Sequence, residues 1–430
     1  MRNIPLLVSK RLPFFYGWIV LFCACCAGFV RQGPAVATLS IFVIPMTGEF
    51  EWSMTAISGA VSMGGLLAAI TSPVLGPLVD KRGARLILCS AVFLTALCTI
   101  LLSHTNSLLM FYILFCIARL NFAGPFDLGI YVAINNWFIQ KRPMAISIVT
   151  LAQMAGLTAM PLIAFAAMSQ NGWRMGWLAI GLTIIAIGFL PNLFFMCRRP
   201  EDVGLHPDGN TTKDLSTNGH NSVPIEANFT RSQAISTPSF WLLILFTGLV
   251  FPVQAGISLH QAPHLLERGL SPATAALVVS SFSLISGLSA LLYGFTIRRL
   301  GVRLNLFVAG LNLAFGTLLM LFIDSALLAF TAAGLFGIGI GGVLCILPIV
   351  WADYFGRKSF GSIRGIVLTI QVAAQALGPI LSGLLRDWSN SYDLSLLLFA
   401  GMSFTAAIIG LITIPPVSIK MTKRDPAECK

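Results

Sequence analysis

Charge is what this chain has least of. Only 10% of its 430 residues are Asp, Glu, Lys or Arg, whereas 56% are apolar, and the mean hydropathy is +0.85. Soluble domains carry roughly 25% charged residues. So few charges cannot cover a water-facing surface, which excludes a soluble globular protein and puts a lipid bilayer around much of the molecule. Negative charge is the scarcer sign: 16 acidic residues face 27 basic ones, a net charge of +11. No basic stretch is interleaved with aromatics as a nucleic-acid surface requires, so no nucleic-acid partner is expected. The nine cysteines lack the paired CxxC or Cys/His spacing of a zinc site, and most lie in apolar segments, so neither a metal nor a disulfide framework is expected. A P-loop and a catalytic triad are also absent. The glycines between Gly334 and Gly342 have no Lys-Ser/Thr after them and read as close helix packing. Neither an enzyme nor a cofactor is expected.

What the chain does have is long apolar runs. A spanning helix takes about 20 mostly apolar residues. Twelve such segments can be placed, starting near Phe15, Met54, Ala84, Leu108, Pro143 and Trp177, then near Phe240, Ala273, Val302, Ala326, Gly365 and Leu394. The first run continues past Ala37 without a cleavage pattern, so it reads as a span and not as a signal peptide. The expected fold is an all-α membrane protein of two pseudo-symmetric six-helix bundles, residues 1–197 and 238–418. A polar linker occupies 198–237 and a tail 419–430. Of the 27 basic residues, 22 fall on the side shared by both termini and the linker, three on the other side, and Arg31 and Arg119 inside the membrane. The positive-inside rule then places both termini and the linker in the cytoplasm. The sequons at Asn210 and Asn228 are therefore expected to stay unglycosylated. Short tails fit a bacterial inner membrane, and a monomer is expected.

The two bundles share a phrase. Gly76, Gly83 and Arg85 in Gly76-Pro77-Leu78-Val79-Asp80-Lys81-Arg82-Gly83-Ala84-Arg85 map onto Gly294, Gly301 and Arg303 at an offset of 218. Gln153 and Pro161 map onto Gln371 and Pro379 at the same offset. A repeat of half a membrane protein describes two bundles facing each other across a pathway. The repeat is unequal: Asp80 corresponds to Arg298, Arg31 to Leu249 and Arg119 to Gly337.

With these residues on view, the chain resembles the major facilitator superfamily along its whole length. The phrase from Gly76 to Arg85 is similar to that family's signature between helices two and three. Phe15-Tyr16-Gly17-Trp18, Trp137-Phe138-Ile139-Gln140-Lys141-Arg142, Arg199-Pro200-Glu201-Asp202-Val203-Gly204 and Tyr354-Phe355-Gly356 resemble the branch of monocarboxylate and oxalate–formate carriers. The resemblance implies secondary active transport by alternating access, commonly of small organic anions. It also implies that Gly76, Asp80, Lys81, Arg82, Gly83 and Arg85, with Arg298 and Arg303 in the second copy, form a conformational latch and bind no substrate. Arg119, followed by Gly124 and Gly129, loosely resembles the helix-four Arg motif that the family links to proton coupling. Carboxylate carriers of this branch often place a basic residue in helix eight or eleven. Here helix eight has none, and helix eleven has none beyond Arg364 at its entrance.

Candidate site residues follow from the cost of polarity in lipid. Arg31 lies about 16 residues into the first span, roughly 24 Å from its start. A charge there costs several kcal/mol on a lipid face, so it faces the protein interior or a water-filled cavity. Its planar fork suits carboxylate or phosphate. Arg31 and Arg119 are therefore candidate substrate ligands. Buried amides must also find partners, which adds Asn121, Gln153, Gln371 and Gln375, either as ligands or as bonds between helices. Asp127, with no partner legible in the sequence, and His260 are the candidate proton-coupling groups. His260, His264 and Glu267 share one helical face at i, i+4 and i+7, which also reads as a solvated stripe at a mouth, with His260 the deepest. The function expected is movement of a small organic anion, a carboxylate, coupled to protons or to counter-anion exchange. One rival is a proton-coupled exporter of amphipathic compounds, although the Gly-Pro motif of such antiporters is absent, with four residues between Gly156 and Pro161. The other is a non-transporting sensor that kept the carrier fold.

Overall fold

A computed structural model describes residues 5–7, 9, 12–52, 54–209 and 228–416. No strand occurs among the described residues. Twelve spans cross the molecule. The first is two short helices, Gly17–Val30 and Val36–Phe50. The second and third are Met54–Arg82 and Ala84–Leu102, and the fourth is again two pieces, Leu108–Ala123 and Pro125–Trp137. The fifth and sixth are Arg142–Asn171 and Trp173–Phe195. The seventh is Pro238–Glu267. The eighth and ninth form one run, Pro272–Leu319, that turns at Gly301 with φ 75°. That turn requires a residue tolerant of positive φ, which Gly is. The last three are Ala326–Phe355, Phe360–Ser389 and Asp393–Ile412.

These helices start where the chemistry of capping puts them. Ser107, Thr237, Ser271 and Ser325 each stand just before a span and accept a backbone N–H from its first turn. Large apolar side chains such as Leu66, Ile70 and Val74 stand exposed on the second span, as a lipid-facing belt must. The first span differs from the uninterrupted helix expected, because it breaks over residues 31–35. Gly33-Pro34 supplies the break, since Pro cannot donate to the preceding turn. The eleventh span begins at Phe360, five residues ahead of the expected start, which moves Arg364 from the entrance into the helix.

The two halves approach through glycine. A Cβ at Gly76 would land on the Gly361 carbonyl, and one at Gly365 on the Ser72 carbonyl, where spans two and eleven cross. A Cβ at Gly294 would meet Ser147 and the Pro143 carbonyl, where spans eight and five cross. Pro143 and Gly361 are themselves 218 apart, so the repeated glycine makes the same contact twice. The repeated arginine does too. Arg85 donates to the Leu193 carbonyl at 2.8 Å, and Arg303 to that of Leu411, also at 2.8 Å.

Asp80 makes a contact that is not repeated. Its carboxylate accepts from Gly361 N, Ser362 N and Ser362 Oγ at 2.9, 2.8 and 2.5 Å. Those two N–H groups belong to the first turn of the eleventh span, which its own N-cap Ser359 leaves uncapped. One half thus caps a helix of the other. Arg298, at the equivalent place, is exposed, as are Lys81 and Arg82. The second half uses another pair instead: Arg142, at the start of the fifth span, binds Asp353. Arg357 adds a bond to the Asn136 carbonyl at 2.9 Å. All these links lie on the face where the linker emerges. On the opposite face, Arg174–Glu49, Arg268–Asp393 and Arg386–Glu267 each stay within one half.

The first part of the expected linker is built into this face. Asp208 accepts from the successive backbone N–H groups of Ile139, Gln140 and Lys141 at 3.0, 2.7 and 3.1 Å, a nest-like anion seat. Arg198 donates to the Lys81 carbonyl at 2.8 Å, and Glu201 lies 3.6 Å from Arg357 of the second half. Residues 210–227, with the Asn210 sequon, and the tail 419–430 lie outside the described residues. Replacing Gly76 by Leu should wedge spans two and eleven apart while leaving membrane insertion intact. Thiol labelling of a cysteine placed at Ser362 should then speed up at least several-fold. An unchanged labelling rate would show that the glycine contact does not hold this face closed.

Candidate functional site

The breaks in the first and fourth spans meet. Arg31 is the C-cap of Gly17–Val30, where a cation is favoured by the negative end of the helix dipole. Gly124 ends the upper piece of the fourth span, Pro125 starts the lower piece, and Asp127 stands in its first turn. That is the positive end of a helix, where a carboxylate is favoured. The two ends face each other, so Arg31 Nη1 lies 3.4 Å from Asp127 Oδ1 and Arg31 Nε donates to the Phe122 carbonyl at 2.8 Å.

The other oxygen of Asp127 is held from the second half. Arg364 Nε lies 3.2 Å from Oδ2, and Arg364 Nη2 donates to Gln371 Oε1 at 3.2 Å. Arg31, Asp127 and Arg364 are all buried, at 9%, 4% and 3% exposure. Asp127, for which the sequence named no partner, binds one guanidinium from each half. The placing of Arg364 at the helix entrance is replaced, since a side chain one turn in points along the interface between the halves. Arg119 completes the cluster. Arg31 and Arg119 both stand over the Phe122 ring, their guanidinium carbons 4.7 and 4.3 Å from its centre. Arg119 Nε and Nη1 and Arg364 Nη1 are sealed from solvent and have no hydrogen-bond partner.

The remaining candidates separate into two groups. Gln371 belongs to the cluster through Arg364. Gln153, its repeat partner, is buried against Gly28 and beside Tyr131. Asn121 instead ties the fourth span to the third, donating to Thr95 Oγ1 at 3.2 Å, and Gln375 donates to Gln254 at 3.1 Å. His260 stands apart, its ring nitrogens 3.3 Å from the Tyr392 hydroxyl and 3.2 Å from the Pro379 carbonyl. The stripe expected at the mouth is taken up by neighbouring helices: His264 is buried against the Met320 carbonyl at 2.8 Å, and Glu267 pairs with Arg386. His264, at 4% exposure, is more enclosed than the partly buried His260. No group of three metal-ligating side chains occurs among the described residues.

Sequence reasoning missed Arg364 and Phe122. Arg364 had a signal, because after it no charged residue appears until Arg386, which marks it as the first residue of a span as much as the last of a loop. Phe122 had none, being one aromatic among 31 phenylalanines.

The fold and the buried cluster define a multi-pass membrane protein of twelve helices, in two pseudo-symmetric halves that meet around a charged centre. The Major Facilitator Superfamily pattern matches residues 18–265 and 255–428, and the chain belongs to that family. It is 25% identical to the membrane sensor protein UhpC of Salmonella typhimurium over 79% of this chain and 78% of that protein. It is 23% identical to human monocarboxylate transporter 2 over 88% of this chain and 81% of that one. The proton:xylose symporter XylE has the same fold, with a TM-score of 0.72 over 91% of this chain and 94% of that one at 14% identity. The branch resemblance in the sequence is thus matched by a monocarboxylate carrier.

Removing the carboxylate should leave Arg31 and Arg364 without the anion they share. Asp127→Asn is expected to cost about 3–5 kcal/mol of stability, as breaking a buried ion pair does, measured by thermal unfolding in detergent. The double variant Asp127→Asn/Arg364→Gln should recover part of that loss. A single-variant cost of about 0.5 kcal/mol or less, as at a plain surface site, would show that Asp127 does not hold the cluster.

Proposed function

We propose that this protein moves a small organic anion across the membrane by alternating access, coupled to protons or to a counter-anion. One observation carries the reading: Arg31 and Arg364, one from each half, hold the single carboxylate of Asp127, and Arg119 stands over the same Phe122 ring as Arg31. Arginine stays charged in any such setting, and unpaired positive charge in a lipid-bounded interior is costly unless it serves an ion pathway. A carboxylate offers the planar acceptor that a guanidinium fork fits. The named relative that carries monocarboxylates supports the same class.

Alternating access fits the contacts between the halves. Asp80 on Gly361 and Ser362, and Arg142 on Asp353, hold the linker face shut. Asp127–Arg364 is the link of this set nearest the charged centre. A substrate carboxylate competing for Arg364, or a proton on Asp127, weakens that link and lets the linker face open. With 22 of 27 basic residues expected on that face, it is the cytoplasmic one. Moving Arg364 into the helix takes one from that count and leaves the bias intact. The membrane is a bacterial inner membrane, and the carrier acts as a monomer.

A sensor that binds without transporting is the second reading, favoured by the similarity to UhpC. Purified protein in liposomes, offered labelled mono- and dicarboxylates with and without an inward proton gradient, separates the two. A carrier accumulates or exchanges at least one anion, and Arg31→Gln lowers that rate by about 100-fold, the cost of one charge-assisted bond at roughly 1.4 kcal/mol per decade. Binding without flux would support the sensor. Flux that Arg31→Gln leaves untouched would remove Arg31 from the site.

A further inference from the structure

Spans five and eleven are counterparts in the repeat, and their first residues, Arg142 and Phe360, stand one offset of 218 apart. Both begin without a local cap, since neither Lys141 nor Ser359 caps its helix through the side chain. Open N–H groups at a helix start need an acceptor from elsewhere. For span eleven that acceptor is Asp80. The repeat would put the matching acceptor for span five at 298, and 298 is Arg. A guanidinium only donates, so it caps nothing there. Arg298 is also exposed.

The acceptor that reaches this place comes from the linker. Asp208 takes the N–H groups of Ile139, Gln140 and Lys141, the turn that leads directly into Arg142. Its own backbone sits at φ 60° and ψ 1°, in the left-handed region that Asp tolerates better than most residues. Asp208 is buried, at 8% exposure. A buried carboxylate held in an uncommon backbone conformation persists where its surroundings depend on it. The chain beside it is fixed to the same half. Trp137 Nε1 donates to the Cys197 carbonyl at 3.2 Å, and a Cβ at Gly209 would touch the Phe15 ring. Asp208 therefore moves with the first half. Arg142 follows its turn at once, is 1% exposed, and binds Asp353 of the second half. Where the turn stands decides where that guanidinium points.

Resting on the alternating-access reading above, we propose that Asp208 is a positioning residue for the Arg142–Asp353 link: the linker supplies to span five the carboxylate that Asp80 supplies to span eleven. Asp208 does not itself cross between the halves. It holds the turn that aims Arg142, so little is left to order when the linker face shuts and the ion pair forms. Glu201, on the same stretch of linker, does reach across, 3.6 Å from Arg357. Residues 197–209 are thus a working part of the latch as well as a tether between the halves.

The test needs no substrate. It follows a cysteine placed at Ser147, which is buried on span five against Gly294 of span eight. Maleimide labelling of the full-length protein is timed in inside-out vesicles, and the rate of the same protein without that cysteine is subtracted. Asp208→Gly keeps the positive φ and removes the carboxylate. It should speed labelling at least about fivefold, the scale of hydrogen bonds to a charged group. Arg142→Gln should speed it as well. The double variant should stay within about twofold of Arg142→Gln alone, because Asp208 acts through Arg142. A turn that served general stability only would add its effect in full. If Asp208→Gly does not fold, Asp208→Asn serves the same comparison, since it keeps the side-chain volume and the left-handed turn, with a smaller change in the same direction. A rate that the Asp208 variant leaves unchanged, or a double variant that shows the full product of both effects, would overturn the positioning role and leave the carrier reading standing. A rate that Arg142→Gln also leaves unchanged would overturn both the positioning role and the shut linker face.

Discussion

A single carboxylate carries the connection between the two halves of this molecule at its charged centre. Asp127 gives one oxygen to Arg31 of the first half and the other to Arg364 of the second. Everything around it is arranged to make that affordable in a low-dielectric interior. Two broken spans turn their ends toward each other, so that the backbone dipoles favour an Arg at one end and an Asp at the other. The breaks come from Gly33-Pro34 and Gly124-Pro125, residues that interrupt a helix cheaply. Irregular backbone at membrane depth survives only where protein or a cavity surrounds it, and Phe122, in contact with two guanidiniums, is part of that surround.

Around this centre the scaffold is symmetric and the chemistry is not. Glycines at equivalent places let spans two and eleven, and spans eight and five, touch backbone to backbone. Arg85 and Arg303 reach carbonyls exactly one repeat apart. Contacts of this kind depend on shape, and a duplicated shape can be kept on both sides. The charged groups are each used once. Asp80 has no counterpart, and the second half substitutes the Arg142–Asp353 pair. A pathway that binds one ligand needs one set of ligating groups, whereas a rocking scaffold needs matched bearings on both sides.

Much of this was legible in the sequence, for reasons that differ by residue. Arg31, Arg119 and Asp127 stand out because charge is rare in apolar segments, and burial multiplies its cost. The halves are legible because a constant offset of 218 recurs in glycine, glutamine and proline. What the sequence hides is pairing across the interface. Asp127 and Arg364 are 237 residues apart, and nothing local to either names the other. Arg364 was further disguised by Arg357 and Lys358, whose company makes any nearby Arg read as part of a basic loop. The stripe of His260, His264 and Glu267 failed for a related reason: i, i+4, i+7 spacing shows that side chains share a face, but not which neighbouring helix will claim each of them.

Asp80 ties the latch to the order in which the chain is made. Its carboxylate does for the eleventh span what a neighbouring Ser or Thr does for the fourth, seventh, eighth and tenth. Asp80 leaves the ribosome about 280 residues ahead of the turn it caps, so the cap is waiting when that helix arrives. The eleventh span therefore completes its first turn by docking. Parting the two halves at the linker face would return that turn to its uncapped, newborn state.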